Sequence, residues 1–305
     1  MEAAILMCER LLAMASDPST GHVHTVFDQA VNIDLKDRLV SIVMEPKHLT
    51  PYGCTVRADI PFPARGIAEG QTVVLRADGM SIENHLNVSW CDAEVHILSV
   101  DSITLSNEPI HLRDRLQPVI SVLRAGSEVD GLSALATGSE GNIYTDFLQP
   151  RFEKLFDAVA VENQNRALTA VSRVAGCGVG LTPSSDDFLC GYFLTLRLLS
   201  NLYRMRDVCK FLPQMAEVAA KKTNRISGTF LIDSGEGFAN QAVLSFLKVL
   251  CSGADELAVR GAAERVASIG STSGRDILTG ICLAIYQHDG GKNSGQTGNS
   301  EKFIL

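Results

Sequence analysis

Hydrophobic positions change their spacing once along this chain. From His22 to about Leu105 they fall in short runs, several alternating or rich in β-branched residues: Val23–Phe27, Ala30–Leu35, Leu39–Met44, Thr55–Ile60, Thr72–Ala77, His85–Val88 and Ala93–Leu98. Turn residues separate them at Pro46, Pro51-Tyr-Gly53, Pro61-Phe-Pro63 and Asp78-Gly79, and Asp28-Gln29 marks a bend. Period-two alternation with such punctuation predicts strands. Their recurrence about every ten residues predicts a small antiparallel barrel or sandwich. From Leu112 the spacing becomes helical. Helices are expected over Leu112–Arg124, Tyr144–Ala160, Gln164–Ala175, Asp186–Arg204, Val208–Thr223, Ala239–Cys251, Asp255–Ile269 and Asp276–His288, with a polar gap over Gly126–Gly141. Met1–Ala15, mildly apolar with Glu2, Glu9 and Arg10, reads as an amphipathic helix, and Ser16–Gly21 as a break. The expectation is an α+β chain. An N-terminal helix and linker occupy 1–20, a β-rich domain 21–111, an all-helical domain 112–289, and a flexible Gly/Asn/Ser-rich tail 290–305.

Composition narrows the function classes. With 305 residues, 46% hydrophobic and 20% charged, the chain can bury a substantial core. Its formal charge of −8 argues against nucleic acid or a membrane surface as partner. Anionic small molecules are not excluded, because they need only a local positive potential. The eight cysteines form no C-x-x-C pair, and no histidine spacing completes a zinc site. Met1–Ala15 lacks the basic start of a signal peptide, and no apolar run approaches the roughly 20 residues that span a bilayer. A cytoplasmic protein with reduced thiols is expected.

The stretch Gly176-Cys-Gly-Val-Gly-Leu-Thr-Pro-Ser-Ser-Asp-Asp-Phe-Leu-Cys-Gly191 departs most from an ordinary helix–loop–helix sequence. Gly176, Gly178 and Gly180 permit a tight path with positive φ, and Pro183 disfavours helix at Thr182. Ser184 is placed as an N-cap, with Asp187 three residues on as in a capping box. A glycine turn opening onto a helix N-terminus suits an anion. The same pattern also arises in capped helices with no ligand, and it matches neither the P-loop nor the dinucleotide fingerprint.

A weak repeat adds to this. Ser184-x-x-Asp187-x-Leu189-x-Gly191 recurs as Ser273-x-x-Asp276-x-Leu278-x-Gly280, an offset of 276 − 187 = 89 residues. Two such helices packed at their N-termini would place both turns on one surface; two independently capped core helices are the alternative. If Asp187 closes the cap, Asp186 is left to bind Mg²⁺ or to accept from NH₂ groups. Arg225 and Arg275 are candidate counter-charges, or solvated surface arginines. Thr223 and Ser227, four apart, would share a helix face as hydroxyl donors or bond back to helix carbonyls. No Ser-His-Asp order and no Cys-His pair is present, so the inventory favours a transfer reaction run by positioning and electrostatics.

At these residues the chain resembles an uncharacterised bacterial domain family that includes AllH, a subunit of oxamate carbamoyltransferase. The hallmark Gly-x-Gly-x-Gly-Leu-Thr-Pro-Ser-x-Asp-Asp-x-Leu-x-Gly is intact at Gly176–Gly191, and Gly-x-Thr-Ser-Gly-x-Asp-x-Leu-x-Gly at Gly270–Gly280. Thr223-x-x-x-Ser227 is similar to a third segment, and Ala30-Val-Asn-Ile33 matches more loosely. The resemblance implies a carbamoyltransferase complex of anaerobic allantoin breakdown, with AllF-like and AllG-like partner subunits. It would interconvert oxalurate plus phosphate with oxamate plus carbamoyl phosphate. The site expected from motif and resemblance has Asp186, Asp187 and Arg275 in the chemistry. Gly176, Gly178, Gly180, Thr182, Ser184, Ser185, Thr223, Ser227, Thr272, Ser273, Gly274 and Asp276 hold the substrate, with Mg²⁺ on Asp186 as a possible cofactor. The chain departs from the family by an extra N-terminal helix and a polar tail. A structural subunit without catalysis, or a small-anion-binding protein of another pathway, stays open.

Overall fold

The structure is a computed structural model; it describes residues 2–104, 111–126, 131–203 and 206–288. The expected tail, 290–305, lies outside the described residues. The chain divides into two compact units, residues 1–99 with 239–244, and residues 100–238 with 245–305.

The first unit is a β-barrel followed in sequence by helices, an α+β protein. Its strands are β1 (Glu2–Cys8), β2 (Ser19–Val26), β3 (Ala30–Leu35), β4 (Arg38–Val43), β5 (Gly53–Val56), β6 (Thr72–Arg76), β7 (Gly79–Ile82), β8 (Leu86–Ser89) and β9 (Glu94–His96). The order is β5-β4-β3-β2-β6-β7-β8-β1-β9, and a β1–β5 pairing closes the first eight into a barrel, with β9 extending beside β1. Val31, Ile33, Val40, Ile42, Val73, Leu75, Ile82 and Val88 alternate inward and fill its core. Irregular register between Ala4 and Leu6 and between Val23 and Thr25 supplies bulges that help the sheet curl. The β3–β4 hairpin turns on Lys36 and Asp37, both left-handed at φ 48° and 63°, the conformation a two-residue turn needs.

Three expectations change here. Strand β2 begins at Ser19, inside the expected break of Ser16–Gly21, because Ser19, Thr20 and Gly21 pair with Leu75, Val74 and Val73 of β6. The first half of the expected N-terminal helix is strand β1, and only Glu9–Ala15 (α1) is helical. Ala4 and Met7 point into the barrel core, so tertiary pairing overrides a sequence in which apolar spacing alone fits either element. Strand β7 was also missed, because Asp78-Gly79 reads as a turn. The turn proper is Ala77-Asp78, and Gly79 is already in β7, where a Cβ would stand 2.3 Å from the Val88 carbonyl oxygen.

The second unit is helical: α2 (Gln117–Arg124), α3 (Ala134–Thr137), α4 (Ile143–Ala160), α5 (Gln164–Val171), α6 (Ser184–Tyr203), α7 (Arg206–Ala220), α8 (Arg225–Gly235), α9 (Gln241–Cys251), α10 (Glu256–Ala267) and α11 (Ser273–His288). The first residues of α9 group with the barrel unit. At the centre α6 packs along α11, with α7 and α8 also against α6 and α2 and α10 against α11. Gly191 and Gly280 make this close approach possible. A Cβ on Gly191 would lie 2.1 Å from the Ile277 carbonyl oxygen, and one on Gly280 2.1 Å from that of Phe188. Ile277 and Phe188 are themselves one repeat apart, 277 − 188 = 89, so the contact is reciprocal and the crossing has local two-fold character. Phe152, Phe156, Phe188 and Tyr192 stack beside it, with ring centroids 4.1–6.3 Å apart.

Candidate functional site

The two hallmark turns meet. The Thr182 and Ser273 hydroxyls are 2.9 Å apart, 91 residues distant in sequence. The path to this contact is set by glycines, with φ of 79° at Gly176, 132° at Gly178, 92° at Gly180 and 60° at Gly270. At Gly178 the turn folds onto its own helix, since a Cβ there would come 2.4 Å from Ser184 N. Gly180 is different: nothing lies within 4 Å of its Cβ position, so positive φ alone demands glycine. Gly176, Val179, Gly180 and Leu181 form an exposed rim, and Thr182 is half-buried.

Beneath the rim lie two buried carboxylates, Asp186 (1% exposed) and Asp187 (5%). Asp186 reaches back: its Oδ1 accepts the Gly176 N–H at 2.7 Å and its Oδ2 accepts the Thr223 hydroxyl. Asp187 Oδ2 accepts the Thr182 hydroxyl at 2.8 Å. Burial pushes both carboxyls up. Hydrogen bonds from Thr223 and Gly176, with the Ser227 hydroxyl alongside, oppose it at Asp186, whose pKa stays raised. Asp187 is pushed up to about 7, where burial outweighs the Ser273 and Thr182 hydroxyls and the Asp186 charge adds to it. Ser227 Oγ, although beside Asp186, makes no hydrogen bond of ordinary geometry.

The helix start differs from the expected capping box. Ser184 is already the first residue of α6, fully buried, and its Oγ has no hydrogen-bond partner. The turn closes the helix end instead. Ser185 N–H donates to Cys177 O at 2.9 Å, Asp186 and Asp187 N–H donate to Pro183 O, and Cys177 N–H donates to Ser185 Oγ at 2.8 Å. Three N–H groups of the first turn are thus engaged within the protein, which leaves less of the helix end for an anion than the sequence suggested.

The second turn behaves similarly. Gly274 N–H donates to Ile269 O and Asp276 N–H to Thr272 O. Gly274 packs so tightly that a Cβ would lie 1.9 Å from Val266 O. Fully buried Asp276 does not mirror Asp187: its Oδ1 accepts the Leu132 N–H at 2.7 Å. Arg275 lies along Gly126 at the end of α2, within contact distance of that glycine's Cβ position. It is therefore on a different face of α11 from Ser273 and is not brought to Asp186.

Thr223 and Ser227 do converge on Asp186, but not along one helix face. Thr223 precedes α8, which Asn224 caps through Ile226 N–H and Ser227 N–H at 3.0 and 3.1 Å. Asn224 Nδ2 also donates to Leu181 O at 2.7 Å, tying α8 to the glycine turn. Sequence reasoning missed Asn224; an Asn immediately before an Arg-Ile-Ser-Gly-Thr run was the available signal. Beside this tie is a cleft of about 250 Å³ lined by Glu217, Lys221, Thr223, Asn224, Arg225 and Thr229, among others. The residues do not fit a magnesium ion at Asp186, because both carboxylate oxygens are engaged by protein donors and the group is buried. Among the described residues no group of three or more His, Cys, Asp or Glu is placed to hold a metal. Among the described residues, too, no helix is long and apolar enough to cross a membrane.

Two family models match. One, described as oxamate carbamoyltransferase subunit AllH, covers residues 174–285. The other, the AllH family N-terminal domain, covers residues 3–95. The second begins inside β1, so that strand is part of the family's domain and not an addition to it. No curated relative and no solved structure matches at significance. With both hallmark turns inside one match and the whole barrel core inside the other, the chain belongs to the AllH family of oxamate carbamoyltransferase subunits.

Proposed function

We propose that this chain is the subunit of a carbamoyltransferase complex that helps hold a small anionic, carbamoyl-bearing substrate. The reaction would interconvert oxalurate plus phosphate with oxamate plus carbamoyl phosphate in allantoin and purine nitrogen use, in the cytoplasm with AllF-like and AllG-like subunits. One observation carries the placement: Thr223 lines the 250 Å³ cleft and donates to Asp186, so a single hydroxyl joins the hallmark turn to a cavity of suitable size. On this reading Lys221 and Arg225 supply positive charge at the cleft. Asp186 and Asp187 are positioning residues, holding Thr223 and Thr182 through hydrogen bonds. Gly176, Gly178 and Gly180 shape the rim, and Thr182, Ser273 and Thr272 lie where the turns meet. Arg275 and Asp276 hold the second turn from behind.

The engagement of both carboxylates within the protein favours a second reading, in which the turns are structural and the chemistry belongs to the partner subunits. The test is carbamoyl phosphate formation by the reconstituted complex carrying Thr223→Val or Asp186→Asn. A tenfold or greater loss with assembly intact, about 1.4 kcal/mol at the transition state, supports the first reading. Wild-type rates in both variants would transfer the chemistry to the partners.

A further inference from the structure

A second basic feature lies on the face built by α4, α5 and the residues just after α5. There a cleft of about 920 Å³ is lined by Arg151, Lys154, Arg166 and Arg173, with Asn165 and Thr169, over Phe147, Pro150 and Ala170. It contains four cations and no carboxylate, in a chain whose formal charge is −8. Lys154, Arg166 and Arg173 are exposed, and among the described residues none of them makes an ion pair. Arg151 is held differently: its Nη1 donates to Phe147 O at 2.5 Å and its guanidinium lies 3.5 Å over the Phe147 ring. Its charge also favours the thiolate of Cys177 against the burial that raises that thiol.

Clustering unpaired cations costs self-repulsion, which an anionic ligand relieves. Inorganic phosphate or oxamate would fill only a small part of this volume. A drug-sized ligand fits the usual range of about 300–1,000 Å³. The floor is apolar, and the guanidinium fixed on Phe147 offers a planar face on which a flat ring stacks. We propose that the α4–α5 cleft binds a nucleoside di- or triphosphate, with phosphates on Lys154, Arg166 and Arg173 and the base against Arg151 and Pro150. The ligand is bound, not transformed, so no chemistry at this cleft is implied, and the assignment does not depend on which reaction the complex runs.

The test is equilibrium binding to the full chain, with ADP as probe and pyrophosphate and adenosine as its two halves, at physiological salt. Saturable ADP binding is expected, with each half binding at least tenfold more weakly. Arg166→Glu with Arg173→Glu should weaken ADP at least tenfold without changing the melting curve. Arg260→Glu, at an exposed position of α10 paired with Glu264, should leave it unchanged. No saturation at millimolar ADP overturns the proposal. So does equal weakening by Arg260→Glu, which would mean a general field. Pyrophosphate binding as tightly as ADP would reduce the cleft to a simple anion patch. Binding of a polyglutamate peptide in place of ADP would make it a face for an acidic protein segment.

Discussion

Replacing Gly191 by alanine tests the reciprocal crossing of α6 and α11 directly. The added Cβ would stand 2.1 Å from Ile277 O and 3.2 Å from Ile277 Cα, against an ordinary contact of 3.4 Å or more. The helices must therefore part by about 1.3 Å, and this happens between two of the most completely buried elements of the unit. Overpacking of a close-packed core costs about 1–3 kcal/mol. Here the top of that range is expected, because the clash is with backbone that cannot change rotamer. Melting followed by helical circular dichroism should fall by roughly 2–4 °C for each kcal/mol. Gly280→Ala should do the same from the other side, against Phe188 O. One separation relieves both clashes, so the double variant should cost clearly less than the sum of the singles. Gly261→Ala is the control: it sits within α10 with its nearest neighbour, the end of the Arg265 side chain, at 3.8 Å. It should stabilise by about 0.5–1 kcal/mol, as alanine does inside a helix. If Gly191→Ala melts with the wild type, or the two costs simply add, the crossing is not the tight two-fold contact described above.

Three further outcomes follow from the site. Asp187, with a pKa near 7 in the fold and about 3.9 unfolded, gives stability that is fully present below about pH 4. That stability is lost as pH rises through 7. Asp187→Asn should therefore gain on the wild type between pH 4 and pH 8, by at most roughly 4 kcal/mol; a pH-independent difference in denaturant midpoints would refute this. Asp276→Ala should cost about 1–3 kcal/mol by stranding the buried Leu132 N–H, and Asp276→Asn should recover most of it; equal losses would show that the bond is not what matters. Asn224→Ala should cost about 1 kcal/mol as a lost cap, whereas Ser184→Ala should be near neutral because its hydroxyl has no partner; calorimetry showing the reverse order would restore the capping box.

What the sequence displayed and what it concealed divide along physical lines. Strand β3 and the long helices were legible because their inward faces are continuous in the chain: Ala30–Leu35 was placed to the residue, and α4 began one residue before its expected start. Strand β1 was not, because its partners β5, β8 and β9 lie some 50–90 residues away and nothing local distinguishes Glu2–Cys8 from a helix. Helix α8 was hidden by its polar opening, Lys221-Lys-Thr-Asn-Arg, which carries the cap and not the apolar face. The 89-residue repeat did announce the meeting of the two turns, since equal spacing of Ser, Asp and Gly reflects equal packing. The bonding of each carboxylate was not legible: Asp187 accepts a hydroxyl while its counterpart Asp276 accepts a backbone N–H. The α4–α5 cleft was not legible either: Arg151 and Lys154 are three apart on α4, but Arg173 follows the end of α5, and nothing local joins it to them.

The closure of the barrel has a consequence for the order in which the chain acquires structure. Strand β1 leads the described chain, yet it pairs in parallel with β8 and β9, Glu2 against Val88 and Cys8 against His96. During synthesis, hairpins β2–β3–β4 and β6–β7–β8 can form as they emerge, each from local contacts. The first strand must wait for β5, some fifty residues on, and for β8 and β9, some ninety on, before both of its edges are paired. Such long-range closure is slow compared with hairpin formation, and an unpaired strand edge in the interval invites other chains. The step that seals the barrel is therefore its vulnerable one, and mispairing in that interval is expected chiefly at β1.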